Sequence, residues 1–152
     1  MKAPSSPWFY GSVAISAGAL VNCLGDLLLG VRLEYFYGVY TFSPLWIVDL
    51  FVVPFIAGTV VSLIYGLGGK LLCYFSPVIV RCISYYDAAF ISDVPEGAAL
   101  LPIAYWVMVV IVAVEAAAFG GVAGEIVNKK IYGRRPRHLV YKSKSSTGSS
   151  SQ

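Results

Sequence analysis

The sequence predicts an all-α integral membrane protein with four transmembrane helices and a disordered basic C-terminal tail, and three observations predict it. Hydrophobic residues are 58% of the 152 and charged residues only 12%, about half the charged share of a soluble domain and too few to cover a water-facing globule. Apolar runs of about bilayer length recur along the chain, and roughly 20 such residues in a helix cross the ~30 Å of hydrocarbon. Most of the positive charge follows the last run, at Lys129, Lys130, Arg134, Arg135, Arg137, Lys142 and Lys144. These features place helices at about 9–31, 44–66, 71–91 and 98–127, a transmembrane domain over 1–128 and a cytoplasmic, Ser-rich tail over 129–152.

The first helix follows Lys2 and Pro4-Ser5-Ser6-Pro7, opens on Trp8, Phe9 and Tyr10, and stays apolar to about Val31. A secretory signal has an apolar region of about 7–15 residues and a small-residue cleavage site, so this longer run reads as a retained helix. A lipoprotein signal at Leu20-Val21-Asn22-Cys23 is disfavoured, because Asn22 stands where a small residue belongs and the apolar run passes beyond the cysteine. From Arg32 to Ser43 the chain is aromatic, with Tyr35, Phe36, Tyr37 and Tyr40. Tyr and Trp collect where an apolar ring and a polar tip can both be satisfied, so this reads as an interfacial loop.

Pro44 suits the start of the second helix, whereas Pro54 is interior and is expected to kink it. Gly66-Leu67-Gly68-Gly69-Lys70 closes that helix as a turn. It is not a phosphate loop: Leu71 replaces the required Ser or Thr, and no glycine stands at Ile64. The third segment, 71–91, is short and carries Pro77 and Arg81; it either spans or re-enters, and the spanning reading is adopted. Asp87, Asp93, Pro95, Glu96 and Gly97 then form an acidic connection with turn-forming residues.

The last helix, 98–127, is interrupted by Glu115. At 100° per residue, Ala113, Ala116, Ala117, Gly120, Gly121 and Gly124 share one side, with a small-x-x-x-small pattern at Gly120 and Gly124 that allows close helix packing. Glu115 points away from it, with Met108, Ile111, Phe119 and Val122. Four spans put Lys2, Lys70 and the tail on one side and the acidic connection on the other, with Arg32 balanced by Glu34. Lys and Arg are retained inside, so both termini are expected in the cytoplasm, across a bacterial cytoplasmic (inner) membrane.

Intramembrane ionisable residues are the pointers to function, because each is costly unless paired or hydrated. Asn22 and Asp26 lie four apart on one helix face, and Asp26 or Asp49 is expected to pair with Arg81. Glu115 is expected to meet a partner or an ion, and Arg134, Arg135 and Arg137 anionic lipid or a partner protein. Cys23, Cys73 and Cys82 contain no C-x-x-C pair and read as buried thiols. With His138 confined to the tail, neither metal nor cofactor is expected, and no catalytic motif is present. The expected function is therefore a non-enzymatic subunit or assembly factor of a larger membrane complex, bound to other membrane subunits or to itself and not to nucleic acid. The alternative is a small oligomeric transporter or channel using Glu115 and Asp26 for protons or cations.

Overall fold

In a computed structural model of the chain, residues 7–132 are described; the tail with Arg134, Arg135 and Arg137 lies outside them. The fold is helical: α1 (Pro7–Leu29), α2 (Pro44–Tyr65), α3 (Gly69–Leu72), α4 (Phe75–Phe90) and α5 (Ile103–Tyr132), with a 3-10 turn over Gly38–Phe42 and two short strands, β1 (Tyr35–Phe36) and β2 (Ala99–Leu100). Three helices are long and apolar enough to cross a membrane: Trp8–Leu29, Pro44–Tyr65 and Ile103–Ile131. Large apolar side chains such as Leu28, Ile83 and Phe119 stand outward from them and from α4, more exposed apolar surface than a monomeric soluble domain usually carries.

Local chemistry sets the helix ends. α1 stops at Gly30, which takes the left-handed conformation (φ +64) and donates its N–H to the Asp26 carbonyl at 3.0 Å, a glycine C-terminal stop. α2 is capped by Ser43, whose Oγ accepts the Trp46 N–H at 3.2 Å, with Pro44 in the first turn. Pro54 lies inside α2, which remains one continuous helix through it.

Three expectations about the elements are corrected. The third segment is two pieces: the chain turns at Cys73 and Tyr74, and α4 alone has 16 residues, about 24 Å at 1.5 Å per residue. Pro77 falls in the first turn of α4, where a missing N–H costs no helical hydrogen bond. The last helix starts at Ile103 rather than 98, because Ala99–Leu100 pairs antiparallel with Tyr35–Phe36 (Tyr35 opposite Leu100) and the residue before Pro102 is biased to extended backbone. That helix also continues to Tyr132, with Lys129 and Lys130 in its final turn, where cations favour the negative end of the helix dipole.

Cross-contacts give the helix directions. Gly18 packs on Ser76 and Val61, and Gly25 on Val53, so α1 runs with α4 and against α2. α2 and α5 run in parallel and form the most extensive interface. Two apolar cores result. One, of Ala14, Val61, Cys73 and Ala117, lies where α3 ends; the other, of Leu33, Trp46, Leu50, Leu101, Val109 and Ala113, lies beneath the strand pair.

Candidate functional site

Arg81, on the buried face of α4, is the centre of the candidate site; its side chain is 1% exposed. Its Nη2 donates to Asp26 Oδ1 of α1 and its Nη1 to Glu34 Oε1 at 3.2 Å. Asp49 of α2 faces the same guanidinium, with Oδ2 4.0 Å from Nη2, a separation too long for a hydrogen bond. One guanidinium thus stands among three carboxylates. Both oxygens of Asp49, and Nε of Arg81, are buried without a hydrogen-bond partner.

Each carboxylate is brought in by a different element. Asp26 lies one turn from the end of α1 and Asp49 in the second turn of α2. Glu34 belongs to the link between them, and its carbonyl accepts the Leu101 N–H at 2.8 Å beside the strand pair. The small sheet therefore fixes the backbone from which Glu34 reaches inward. Burial pushes the Glu34 carboxyl above its ordinary range, against the opposing pull of Arg81. An open cleft of about 460 Å³ between α1 and α4, lined by Cys23, Asp26, Glu34, Ile83 and Asp87 among others, adjoins the cluster. Asp26 keeps 19% of its side chain exposed.

The expected balance of Arg32 by Glu34 is corrected: Arg32 pairs with Asp87 of α4 at 2.8 Å, and Glu34 turns inward to Arg81. Asn22 lies outside the ionic cluster; its Nδ2 donates to the Gly18 carbonyl and to Ser76 Oγ, each at 3.0 Å. The thiols also depart from expectation, because Cys23 and Cys82 lie on outward helix faces and only Cys73 is buried. Among the described residues no three His, Cys, Asp or Glu side chains are arranged to hold a metal ion.

Gly120 and Gly124 lie against α2. A Cβ at Gly120 would overlap the Phe55 carbonyl, and one at Gly124 would come within 2.7 Å of Ser62 Cβ. Gly58 makes the reciprocal approach to the Ala117 backbone. Across this seam Thr59 Oγ1 donates to the Gly120 carbonyl at 3.1 Å and Asn128 Nδ2 to the Ser62 carbonyl at 2.6 Å. Glu125, which sequence reasoning passed over, accepts the Gly68 N–H at 2.9 Å and the Lys70 N–H at 3.3 Å. It anchors the turn before α3 to α5. The available signal was that Glu125 and Asn128 stand four residues after Gly121 and Gly124 and so continue the small-residue side of α5.

Glu115 is elsewhere. It is exposed on α5, on the side of Met108, Ile111, Phe119 and Val122, all of them exposed. It lies about 18 Å along the helix from Ile103 at 1.5 Å per residue, and among the described residues no hydrogen bond or ion pair reaches it. The structure does not bring it to Asp26 or to Arg81. No protein family, curated protein or solved structure matches this chain.

Proposed function

We propose that the chain is a non-enzymatic subunit or assembly factor of a larger membrane complex, joined to it through the Glu115 side of α5. The carrying observation is that exposed carboxylate, halfway along a long apolar helix and ringed by outward apolar side chains. An ionised carboxylate against lipid is costly, and it either protonates or recruits a partner. The small-residue side of α5 is already occupied by α2, so the cover for Glu115 comes from a helix of another subunit or a second copy, carrying a hydrogen-bond donor at that depth.

In this reading the chain crosses a bacterial cytoplasmic membrane four times, with α3 and α4 together making the third crossing. Lys70, Lys129 and Lys130 gather at one end of the bundle, where Glu125 meets the Lys70 backbone. Asp87, Asp93 and Glu96 follow at the other end. The excess of positive charge puts the first end, and both termini, in the cytoplasm, where Arg134, Arg135 and Arg137 can meet anionic lipid.

The test is native mass spectrometry of the full chain extracted in lipid nanodiscs. Glu115→Leu is expected to lose a companion held at fixed stoichiometry, and Glu115→Gln, which keeps a hydrogen-bonding head, to retain it. A solitary wild-type chain, or companions indifferent to Glu115→Leu, would overturn the reading. Ion-coupled flux that vanishes in Glu115→Gln would favour the transporter instead.

A further inference from the structure

We propose that Asp49 is a proton-binding site, held as the neutral acid at neutral pH and exchanging its proton, by way of Asp26, with water in the cleft between α1 and α4. The geometry separates the three carboxylates around Arg81. Glu34 and Asp26 each take one arm of the guanidinium. Asp49 takes neither, its side chain is wholly buried, and no donor reaches either of its oxygens. A desolvated carboxylate without a donor costs several kcal/mol, and neutralising it removes that cost.

The surroundings offer no second cation. α1 presents Asp26, the link after it presents Glu34 and α4 presents Arg81. Arg32, the nearest further base, is held by Asp87 at 2.8 Å. α5 meets this part of α2 with Val109 and Ala113 beside Leu50 and with Tyr105, which lines a groove with Leu50; its carboxylates lie elsewhere, Glu115 on the outward side and Glu125 at the Lys70 turn. Proton uptake converts the Asp49 carboxylate to a carboxylic acid and reduces the excess of negative over positive groups in the cluster from two to one. On release the proton passes to the Asp26 carboxylate, which faces the same Arg81 Nη2 as Asp49 and lines the cleft, and from there to water. A proton rather than a metal ion fits the site, since these side chains are not arranged as metal ligands.

The experiment is infrared spectroscopy of the full chain in lipid nanodiscs, following the C=O stretch of protonated carboxyl groups with and without carboxyl-13C aspartate. At neutral pH an ordinary aspartate, with pKa about 3.9, has no such band. The expected result is a band that shifts on aspartate labelling, disappears in Asp49→Asn, and survives in Asp26→Asn with slowed hydrogen–deuterium exchange. Should Asp49→Asn fail to fold, the labelled wild type and Asp26→Asn still decide: of the four aspartates, at 26, 49, 87 and 93, Asp87 and Asp93 lie at the water-facing end. No aspartate-dependent band at neutral pH, or one lost with Asp26, overturns the assignment to Asp49. Exchange that is unchanged in Asp26→Asn overturns the relay.

Discussion

At the scale of the residue, Arg81 is the side chain on which three other segments depend. A guanidinium presents two donor arms in a fixed plane, which a lysine ammonium cannot do, and here one arm serves α1 and the other the α1–α2 link. Arg81→Met leaves Asp26 and Glu34 without their counter-charge and is expected to cost about 3–5 kcal/mol, the usual cost of breaking a buried pair from one side. Arg81→Lys keeps the charge but serves one carboxylate well, so its loss should fall between. Thermal unfolding in detergent, read against wild type, measures both. A wild-type midpoint for Arg81→Met would mean that the carboxylates do not need the guanidinium. The cost of intramembrane charge picks out Asp26, Asp49 and Arg81 from sequence alone, and they lie together in the structure. Glu34 was not legible in the same way. Its inward turn depends on the pairing of Tyr35 with Leu100, a contact between distant parts of the chain with no local pattern to announce it.

At the scale of the element, the seam between α2 and α5 carries the fold. In the membrane reading proposed above there is no water to expel between helices, so association rests on close packing and hydrogen bonds across the contact. Glycines let the two backbones meet: Gly58 against Ala117 and Gly120 against Phe55. Gly120→Ala introduces a methyl where the Phe55 carbonyl already sits, and should destabilise the fold by about 1–3 kcal/mol, the range for overpacking; Gly120→Leu should prevent it from forming. Gly11→Ala, on α1, meets only Leu72 and Tyr65 side-chain atoms at 3.8 Å, ordinary contact distances, and leaves the seam intact. Denaturant or thermal unfolding of Gly120→Ala separates these effects, and unaltered stability would mean that the helices are not in this contact. The long helices were readable because their apolar runs are long and bounded by Gly or Pro. The short strands were not, since two residues carry no periodicity. The break at Cys73 and Tyr74 was also hidden, because Gly69, Lys70 and Pro77 were legible as punctuation but not as a short helix followed by a turn.

At the scale of the whole molecule, the third segment decides the topology. α4 by itself is shorter than the hydrocarbon it would have to cross, by about 6 Å on a 24 Å helix. Its two ends are nevertheless tied to opposite ends of the bundle. The turn preceding α3 is held by Glu125, near the C-terminal end of α5, while Asp87 near the end of α4 is held by Arg32, just past α1. α3 extends the segment toward the start of α1, where its Leu72 lies beside Gly11, while Asp87 meets Arg32 beyond the other end of α1. Were this segment to cross, Lys70 and Lys129 would share one face of the membrane and Ser92 would lie on the other; were it only to re-enter, Lys70 and Ser92 would share a face and Lys129 would lie opposite. Single cysteines at positions 70, 92 and 129, in a chain whose own three cysteines are replaced by alanine, distinguish the two. With a membrane-impermeant maleimide on intact cells, labelling is expected at 92 alone, and at 70 and 129 only after the membrane is opened. Labelling of 70 and 92 together would leave three crossings and put Lys70 and Lys129 on opposite sides, which would overturn the parallel packing of α2 and α5 and the contact of Glu125 with the Lys70 turn as well as the charge argument for orientation.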